Sequence, residues 1–374
     1  MNRFEKLAAA GVRGLTPYVP GKPPEALERE LGVRDSIKLA SNENPLGPGP
    51  LARAAIEAAA GRVGLYPDGG GHDLRSKLAA RHGVTLVQVT LGNGSNDVLV
   101  LVAEAFLTAG VEAVYSEYAF AVYPIAVQAS GASPRVAAAL PAGGPQPLGH
   151  DASALLAAIG PKTRVLFLAN PNNPTGTWMD EATLDALLRA VPPEVIVVLD
   201  EAYHEYSESR GVPDGTRWLA RHPNLIVTRT FSKAYGLAGM RVGYALSHPD
   251  VADLLNRVRQ PFNVSLPALA AAAVAIEDRD HLGATLALNR SGIERLRAGL
   301  RDLGIAVADS AGNFVLADLG RPAAAVNEAL LRQGVIVRPV GNYGLPNHLR
   351  ISTGTAAQNE RLLAAMATAI AAAP

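Results

Sequence analysis

Two short runs, Val165-Leu166-Phe167-Leu168-Ala169 and Val195-Ile196-Val197-Val198-Leu199, are apolar at every position and end abruptly in polar residues. A run this short and uniform reads as a strand buried on both faces, which is the pattern of a parallel sheet covered by helices. Similar runs alternate with helix-like stretches from about residue 37 to 265, so the expected fold class is α/β with a mostly parallel sheet. No internal repeat is visible. Ser95 is expected to cap a helix through Val98 to Phe106, Asp180 one ending at Ala190, and Asp250 one ending at Arg259. Residues 136–149, rich in Ala, Pro and Gly, read as an exposed loop. Beyond Pro261-Phe262-Asn263 comes an alanine-rich helical region, then short strands around Phe314–Ala317, Val335–Val337 and Leu349–Ser352, and a last helix from about Ala356. That pattern predicts an arm, 1–36, joining a small α+β C-terminal domain, 266–374, with a large domain over 37–265 between them.

Ligands of open α/β sheets bind off the carboxyl ends of the strands, so the polar residues that end these runs are the candidate site. Asp200 follows one run, and a buried carboxylate is costly unless a cation such as a protonated ring nitrogen pairs with it. Tyr203 is close enough in sequence to reach the same ring. The other run leads into Asn170-Pro171-Asn172-Asn173-Pro174-Thr175-Gly176, a turn fixed by prolines and glycine in which Asn173 could donate its amide to a phenolate oxygen.

A third segment, Thr230-Phe231-Ser232-Lys233-Ala234-Tyr235-Gly236-Leu237-Ala238-Gly239-Met240-Arg241-Val242-Gly243, isolates one lysine among hydroxyls, glycines and apolar residues. The other lysines, Lys6, Lys22, Lys38, Lys77 and Lys162, are all remote in sequence, so Lys233 shares no solvated lysine face. An amine among apolar groups and beside a cation loses its proton more readily than at the ordinary value of about 10.4, which suits it to condense with an aldehyde. Thr230, Ser232 and Arg241 supply hydroxyls and a guanidinium suited to a phosphate. A lysine of this kind beside a phosphate cradle suggests pyridoxal phosphate. Taken singly, each piece has a plain alternative: Asp200 as a helix cap, the Asn-Pro run as a connecting loop, Lys233 and Arg241 as solvated charges. All of them together, in this order, argue for the cofactor.

Composition narrows the remaining classes. A chain of 374 residues, 48% hydrophobic and 18% charged with a formal net charge of +0, is expected to be globular, with room for two domains and no bias toward nucleic acid. With Cys 0, disulfides, thiolate zinc sites and a cysteine nucleophile are excluded. The first dozen residues carry Arg3, Glu5 and Lys6 and do not read as a signal peptide, and no apolar run is long enough to span a bilayer, so a cytoplasmic location is the default expectation. A metal hydrolase built on Asp200, Glu201, His204 and Glu205 lacks the His-Glu-x-x-His spacing, and no metal is expected.

Over nearly its whole length the chain resembles the fold-type I pyridoxal-phosphate aminotransferases, and within them the histidinol-phosphate aminotransferase group. The resemblance rests on Lys38-Leu39-Ala40-Ser41-Asn42-Glu43-Asn44-Pro45-Leu46-Gly47-Pro48, Tyr66-Pro67-Asp68, Gly92-Asn93-Gly94-Ser95-Asn96-Asp97, the three segments above, Arg338-Pro339 and His348-Leu349-Arg350-Ile351-Ser352. One departure is Gly94-Ser95-Asn96-Asp97, where the family commonly has Gly-Ser-Asp-Glu; amides at a helix start hold phosphate whatever side chain follows.

The resemblance implies a large-domain sheet of the seven-stranded type and a homodimer with shared active sites. It makes Lys233 the cofactor-bearing residue and proton carrier, Asp200 the partner of the ring nitrogen, and Asn173 and Tyr203 the partners of the ring oxygen. Tyr118 would stack on the ring; Gly94, Ser95, Asn96, Thr230, Ser232 and Arg241 would cup the phosphate; Tyr66 would reach that phosphate from the other subunit. Arg350 would bind the carboxylate of glutamate and 2-oxoglutarate, and Arg338 and Tyr18 the substrate phosphate. The implied reaction exchanges histidinol phosphate and 2-oxoglutarate for imidazole-acetol phosphate and glutamate, in histidine biosynthesis. Alternatives are an aromatic aminotransferase and a decarboxylase of phosphorylated amino acids; a cofactor-binding regulator would need a DNA-binding segment for which the chain has no room.

Overall fold

The computed structural model describes residues 2–372. Its strands in chain order are β1 (Ile37–Lys38), β2 (Val89–Gly92), β3 (Glu112–Ser116), β4 (Ser133–Ala137), β5 (Thr163–Ala169), β6 (Ile196–Asp200) and β7 (Leu225–Thr230). They continue with β8 (Gly243–Ser247), β9 (Ala306–Val307), β10 (Phe314–Asp318), β11 (Val335–Ile336), β12 (Arg338–Pro339) and β13 (His348–Ser352). A seven-stranded sheet has the order β2-β8-β7-β6-β5-β3-β4 and is parallel except where β8 runs against β7 and β2. The two apolar runs are its central neighbours β5 and β6.

The pleat sorts alternate residues of the sheet into two cores. Leu166, Leu168, Val197, Leu199, Leu225 and Val227 pack on one face with Leu74 and Leu78 of the helix His72–His82 and Leu184 and Leu187 of the helix Glu181–Ala190. Val165, Phe167, Val198 and Ile226 pack on the other face with Val98 and Val102 of the helix Ser95–Phe106 and Tyr123 and Val127 of the helix Val122–Ala129. The alanines of the helix Leu266–Ala275 are buried in the first of these cores, where small side chains let the helix lie close to the helix Pro50–Ala60.

A four-stranded antiparallel sheet, β12-β13-β10-β9, carries a separate core with the helices Arg279–Asp302, Ala323–Arg332 and Ala356–Ala372. β1 pairs with β11, and Leu39 enters this core, so the chain belongs with the C-terminal elements through residue 39 before it crosses to the large sheet.

Two caps differ from expectation. The helix after β2 begins at Ser95 itself, with Gly94 at the cap position at φ 87, because the chain must turn there in a conformation a side chain would oppose. Asp250 lies inside the helix Pro249–Val258, and the ring of His248 accepts its amide instead. Asp180 caps as expected, accepting the Thr183 amide at 2.8 Å. Residues 136–149 begin at the end of β4 and continue as mostly exposed loop.

Candidate active site

The ends of β2, β5, β6 and β7 converge on a cavity of about 720 Å³, lined among others by Asn173, Asp200, Tyr203, Lys233 and Arg350. Each of the first four follows or ends a parallel strand of the large sheet, while Arg350 comes from β13 of the smaller one. The cavity therefore lies between the two sheets.

Lys233 follows β7, and its Nζ donates to the Ser41 carbonyl at 3.1 Å, about 5.9 Å from the Tyr203 ring centre. Burial brings its pKa down to about 8, with the Arg350 guanidinium adding to the effect. Near neutral pH such an amine is poised to lose its proton, as a nucleophile toward a carbonyl requires.

Asp200, at the end of β6, is 5% exposed, and burial raises its pKa. Two hydroxyls donate to it, Tyr123 to Oδ2 at 2.8 Å and Thr228 to Oδ1 at 3.2 Å. No ion pair among the described residues includes it. A carboxylate so placed lacks the cation that burial demands.

Tyr203 is buried, its hydroxyl accepts the Asn42 amide at 2.8 Å, and burial pushes its pKa up to about 12. Asn173 Oδ1 accepts from Arg350 Nη1 at 2.6 Å, and Arg350 Nη2 donates to the Ala40 carbonyl at 2.6 Å. Arg350 Nε is buried without a partner.

A cradle forms where the helix Ser95–Phe106 starts beside the Lys233 loop. Arg241 Nη1 reaches Ser232 Oγ at 3.3 Å, and the Ser232 amide donates to Thr230 Oγ1 at 3.1 Å. Ser95, Asn96, Thr230, Ser232 and Arg241 all line the cavity; Gly94 stands directly behind the guanidinium, where a Cβ would meet Arg241 Nη2 at 2.6 Å. Across from it, a Cβ on Gly243 would meet the Ser95 amide nitrogen at 2.3 Å. Two glycines thus let backbone amides and a guanidinium close on one small volume, which is the geometry of an anion site at a helix N-terminus.

Tyr18 also lines the cavity and lies beneath the Arg338 guanidinium at 5.7 Å, while Arg338 itself is buried and donates to the Val19 carbonyl at 2.7 Å. Arg338 and Arg350 are directly opposite one another in the β12–β13 pair. Like charges facing across strands destabilise a sheet, so this pair calls for an anion.

The remaining expected residues lie apart from the cavity wall. Tyr118 packs against the cluster of Leu316, Val340, Tyr343 and Leu345, and Phe120 stands at the cavity instead. Tyr66 is 82% exposed and stacked on Phe262 with centroids 4.7 Å apart. Residues to which the sequence assigned no role are Tyr123, Thr228 and, within the Lys38–Pro48 segment, Ser41 and Asn42. Asn42 carried a signal in hindsight, since Asn tolerates the left-handed backbone it adopts at φ 55, but Tyr123 carried none. Of the four residues weighed as a metal site, Asp200 and Glu201 leave β6 on opposite faces; His204 Nδ1 lies 3.9 Å from Glu201, whose Oε2 is already paired with Arg229 at 2.7 Å.

The family model for aminotransferase class I and II matches residues 34–366. A protein named histidinol-phosphate aminotransferase 2 from Pseudomonas fluorescens is 57% identical over 98% of this chain and 98% of its own. One of the same name from Pseudomonas aeruginosa is 56% identical over 99% of this chain and 100% of its own. Among solved structures, a histidinol-phosphate aminotransferase from Sinorhizobium meliloti in complex with pyridoxal-5'-phosphate superposes with a TM-score of 0.88 at 33% identity, covering 95% of each chain. The chain belongs to the class I and II aminotransferases and, within them, to the histidinol-phosphate aminotransferase group.

Proposed function

We propose that this protein is a pyridoxal-phosphate-dependent aminotransferase that exchanges histidinol phosphate and 2-oxoglutarate for imidazole-acetol phosphate and glutamate. The observation that carries the reading is the buried Lys233 amine, with a pKa of about 8, sharing a cavity with a carboxylate that lacks a counter-ion and with a helix-start anion cradle. That donor set fits the cofactor: Asp200 suits a protonated ring nitrogen, Asn173 and Tyr203 a ring oxygen, and Gly94, Ser95, Asn96, Thr230, Ser232 and Arg241 a phosphate. When bound, pyridoxal phosphate supplies a carbonyl that condenses with amines and a ring that draws electrons from the substrate carbon.

The chain's own residues do the rest. Lys233 Nζ anchors the cofactor and then carries a proton to and from the substrate carbon. Asp200, aimed into the cavity and holding two donated hydrogen bonds, favours a protonated ring. Arg350, which lines the cavity, takes a substrate oxyanion by exchanging its bonds to Asn173 and the Ala40 carbonyl, and the facing Arg338 adds the charge that a phosphate requires over a carboxylate. Tyr18 closes the same end of the cavity.

We further infer two domains, one built on the seven-stranded sheet and one on the four-stranded sheet with the arm through Leu39. A homodimer belongs to the same proposal: Tyr66 stands far out of this subunit's surface, as a residue lent to a partner's phosphate site would. Tyr118 would then act on the cofactor only after its side chain turns toward the cavity. A cytoplasmic location rests on the metabolic reading alone.

Purified with the cofactor, the protein should be yellow, and borohydride should bleach it and fix the cofactor on Lys233. An adduct on any other lysine refutes the assignment. Turnover with 2-oxoglutarate over a panel of donors should favour histidinol phosphate; a preference for phenylalanine would make the enzyme an aromatic aminotransferase.

A further inference from the structure

The side of Asp200 away from the cavity is built with more care than a carboxylate needs merely to survive burial. Tyr123 is 0% exposed, and its hydroxyl meets Asp200 Oδ2 at 2.8 Å. Its ring is fixed on two sides, stacked on Phe167 of β5 with centroids 5.0 Å apart at 13° and edge-on to Phe120 at 5.9 Å. Thr228 of β7 occupies the other oxygen at 3.2 Å. Three elements thus meet at one carboxylate, and none of the three brings a cation to it. Phe120 itself lines the cavity, so the packing that fixes Tyr123 is continuous with the site.

We propose that Tyr123 is a positioning residue whose hydrogen bond holds Asp200 aimed into the cavity and anionic toward a pyridine nitrogen, so that the proton they share stays on the nitrogen. This rests on the cofactor reading above. The physical reason is that hydrogen bonds to the charged form of an acid favour that form, and inside a protein the effect is large because water does not compete. Burial alone works the other way on Asp200. The phenol can only donate here, since burial and the neighbouring carboxylate push its own pKa well up. The other phenols that act on this pair are Tyr203, pushed up to about 12 by burial, and Tyr343, raised by burial, while Glu201, just past the strand end, acts on Asp200 only through the sheet from its opposite face. Both phenols therefore stay neutral across the working range.

The test is Tyr123→Phe, which keeps the stacked ring and removes one oxygen. Without its donor, Asp200 takes the shared proton more readily, the ring withdraws less, and the lysine-linked nitrogen holds its own proton to higher pH. The pH midpoint of the visible band should therefore rise, and cofactor affinity of the cofactor-free protein, read by fluorescence titration, should fall at least about tenfold. In an Asp200→Asn background the same change should move neither quantity, because the coupling runs through the carboxylate. An unchanged midpoint with equal melting losses in cofactor-free and loaded protein would make the bond purely structural and overturn the proposal, as would a full shift that persists in the Asp200→Asn background. Wild-type protein that shows no visible band with the cofactor would overturn the cofactor reading itself, and this inference with it.

Discussion

Asp200 and Glu201 stand at the same carboxyl end of β6, and the pleat sends them to opposite faces of the sheet. Thr228 and Arg229 of β7 divide in the same way. On the Glu201 face a buried carboxylate has its cation: Arg229 donates to Glu201 Oε2 at 2.9 and 2.7 Å and to Asp214 at 2.6 Å, and Glu201 Oε1 takes the Gly215 amide at 2.7 Å. Burial opposes the Asp214 charge, yet Arg229 holds its pKa down at about 2. On the Asp200 face, a carboxylate is met only by neutral donors, a lysine is held part-way to neutrality, and an arginine has an idle Nε. Two buried carboxylates, adjacent in the chain, differ in whether a cation answers them. The Glu201–Arg229 pair fastens β6, β7 and the Asp214 loop together, whereas under the proposed function the Asp200 side is answered by the cofactor.

The largest effect is expected at Lys233. Lys233→Ala should cut turnover on the order of 10³-fold or more, since it removes both anchor and proton carrier, yet melt at nearly the wild-type temperature. A large loss of stability would put Lys233 with the structural cluster. The mirror experiment is Glu201→Ala, which leaves the buried Arg229 with only the part-exposed Asp214 and should cost up to about 3–5 kcal/mol in urea unfolding, with turnover per folded molecule largely kept. If that variant unfolds like wild type but loses activity, the two faces have been assigned the wrong way round.

A smaller effect is expected among the arginines of the cavity. Arg338→Ala should lower kcat/KM for histidinol phosphate at least about tenfold while sparing glutamate, because only the phosphate needs the second guanidinium. Equal losses for both substrates would move Arg338 out of phosphate recognition. The smallest effect is a pH shift. Lys233 in the folded protein lies below its ordinary value, so the free amine is present from about pH 8 upward, and cofactor uptake by the cofactor-free protein should rise through that midpoint. Arg350→Ala removes a neighbouring cation, favours the protonated amine, and should move the midpoint upward; stopped-flow uptake across pH 6–10, roughly two units either side of the amine's value, would reveal a shift in either direction.

Much of the site was legible because its residues sit where the chain itself changes character. Asp200, Asn173 and Lys233 each follow an apolar run, and a run buried on both faces can end only where the sheet ends. The gathering of Gly94, Ser95, Thr230, Ser232 and Arg241 was legible for a similar reason, since glycine beside hydroxyls and an arginine marks a place where backbone approaches backbone. Tyr123 and Ser41 gave no such sign. Tyr123 is one apolar-rich helix position among many, and its partner is 77 residues away; Ser41 contributes only a carbonyl, which every residue has.

By itself the sequence determined the parallel sheet, the identity of its central strands and the chemistry gathered at their ends, because periodicity and chain breaks are local properties. The tertiary structure decided the rest: that Arg350 comes from a different sheet to lie beside Lys233 and lower its pKa, that Arg338 faces it across a strand pair, and that Asp200 is clasped by Tyr123 while Glu201 is neutralised by Arg229. Those facts depend on which distant surfaces meet and on how much water is left between them. Charge, proton affinity and hydrogen-bond completeness are properties of that meeting, so they cannot be assigned to a residue until its neighbours are in place.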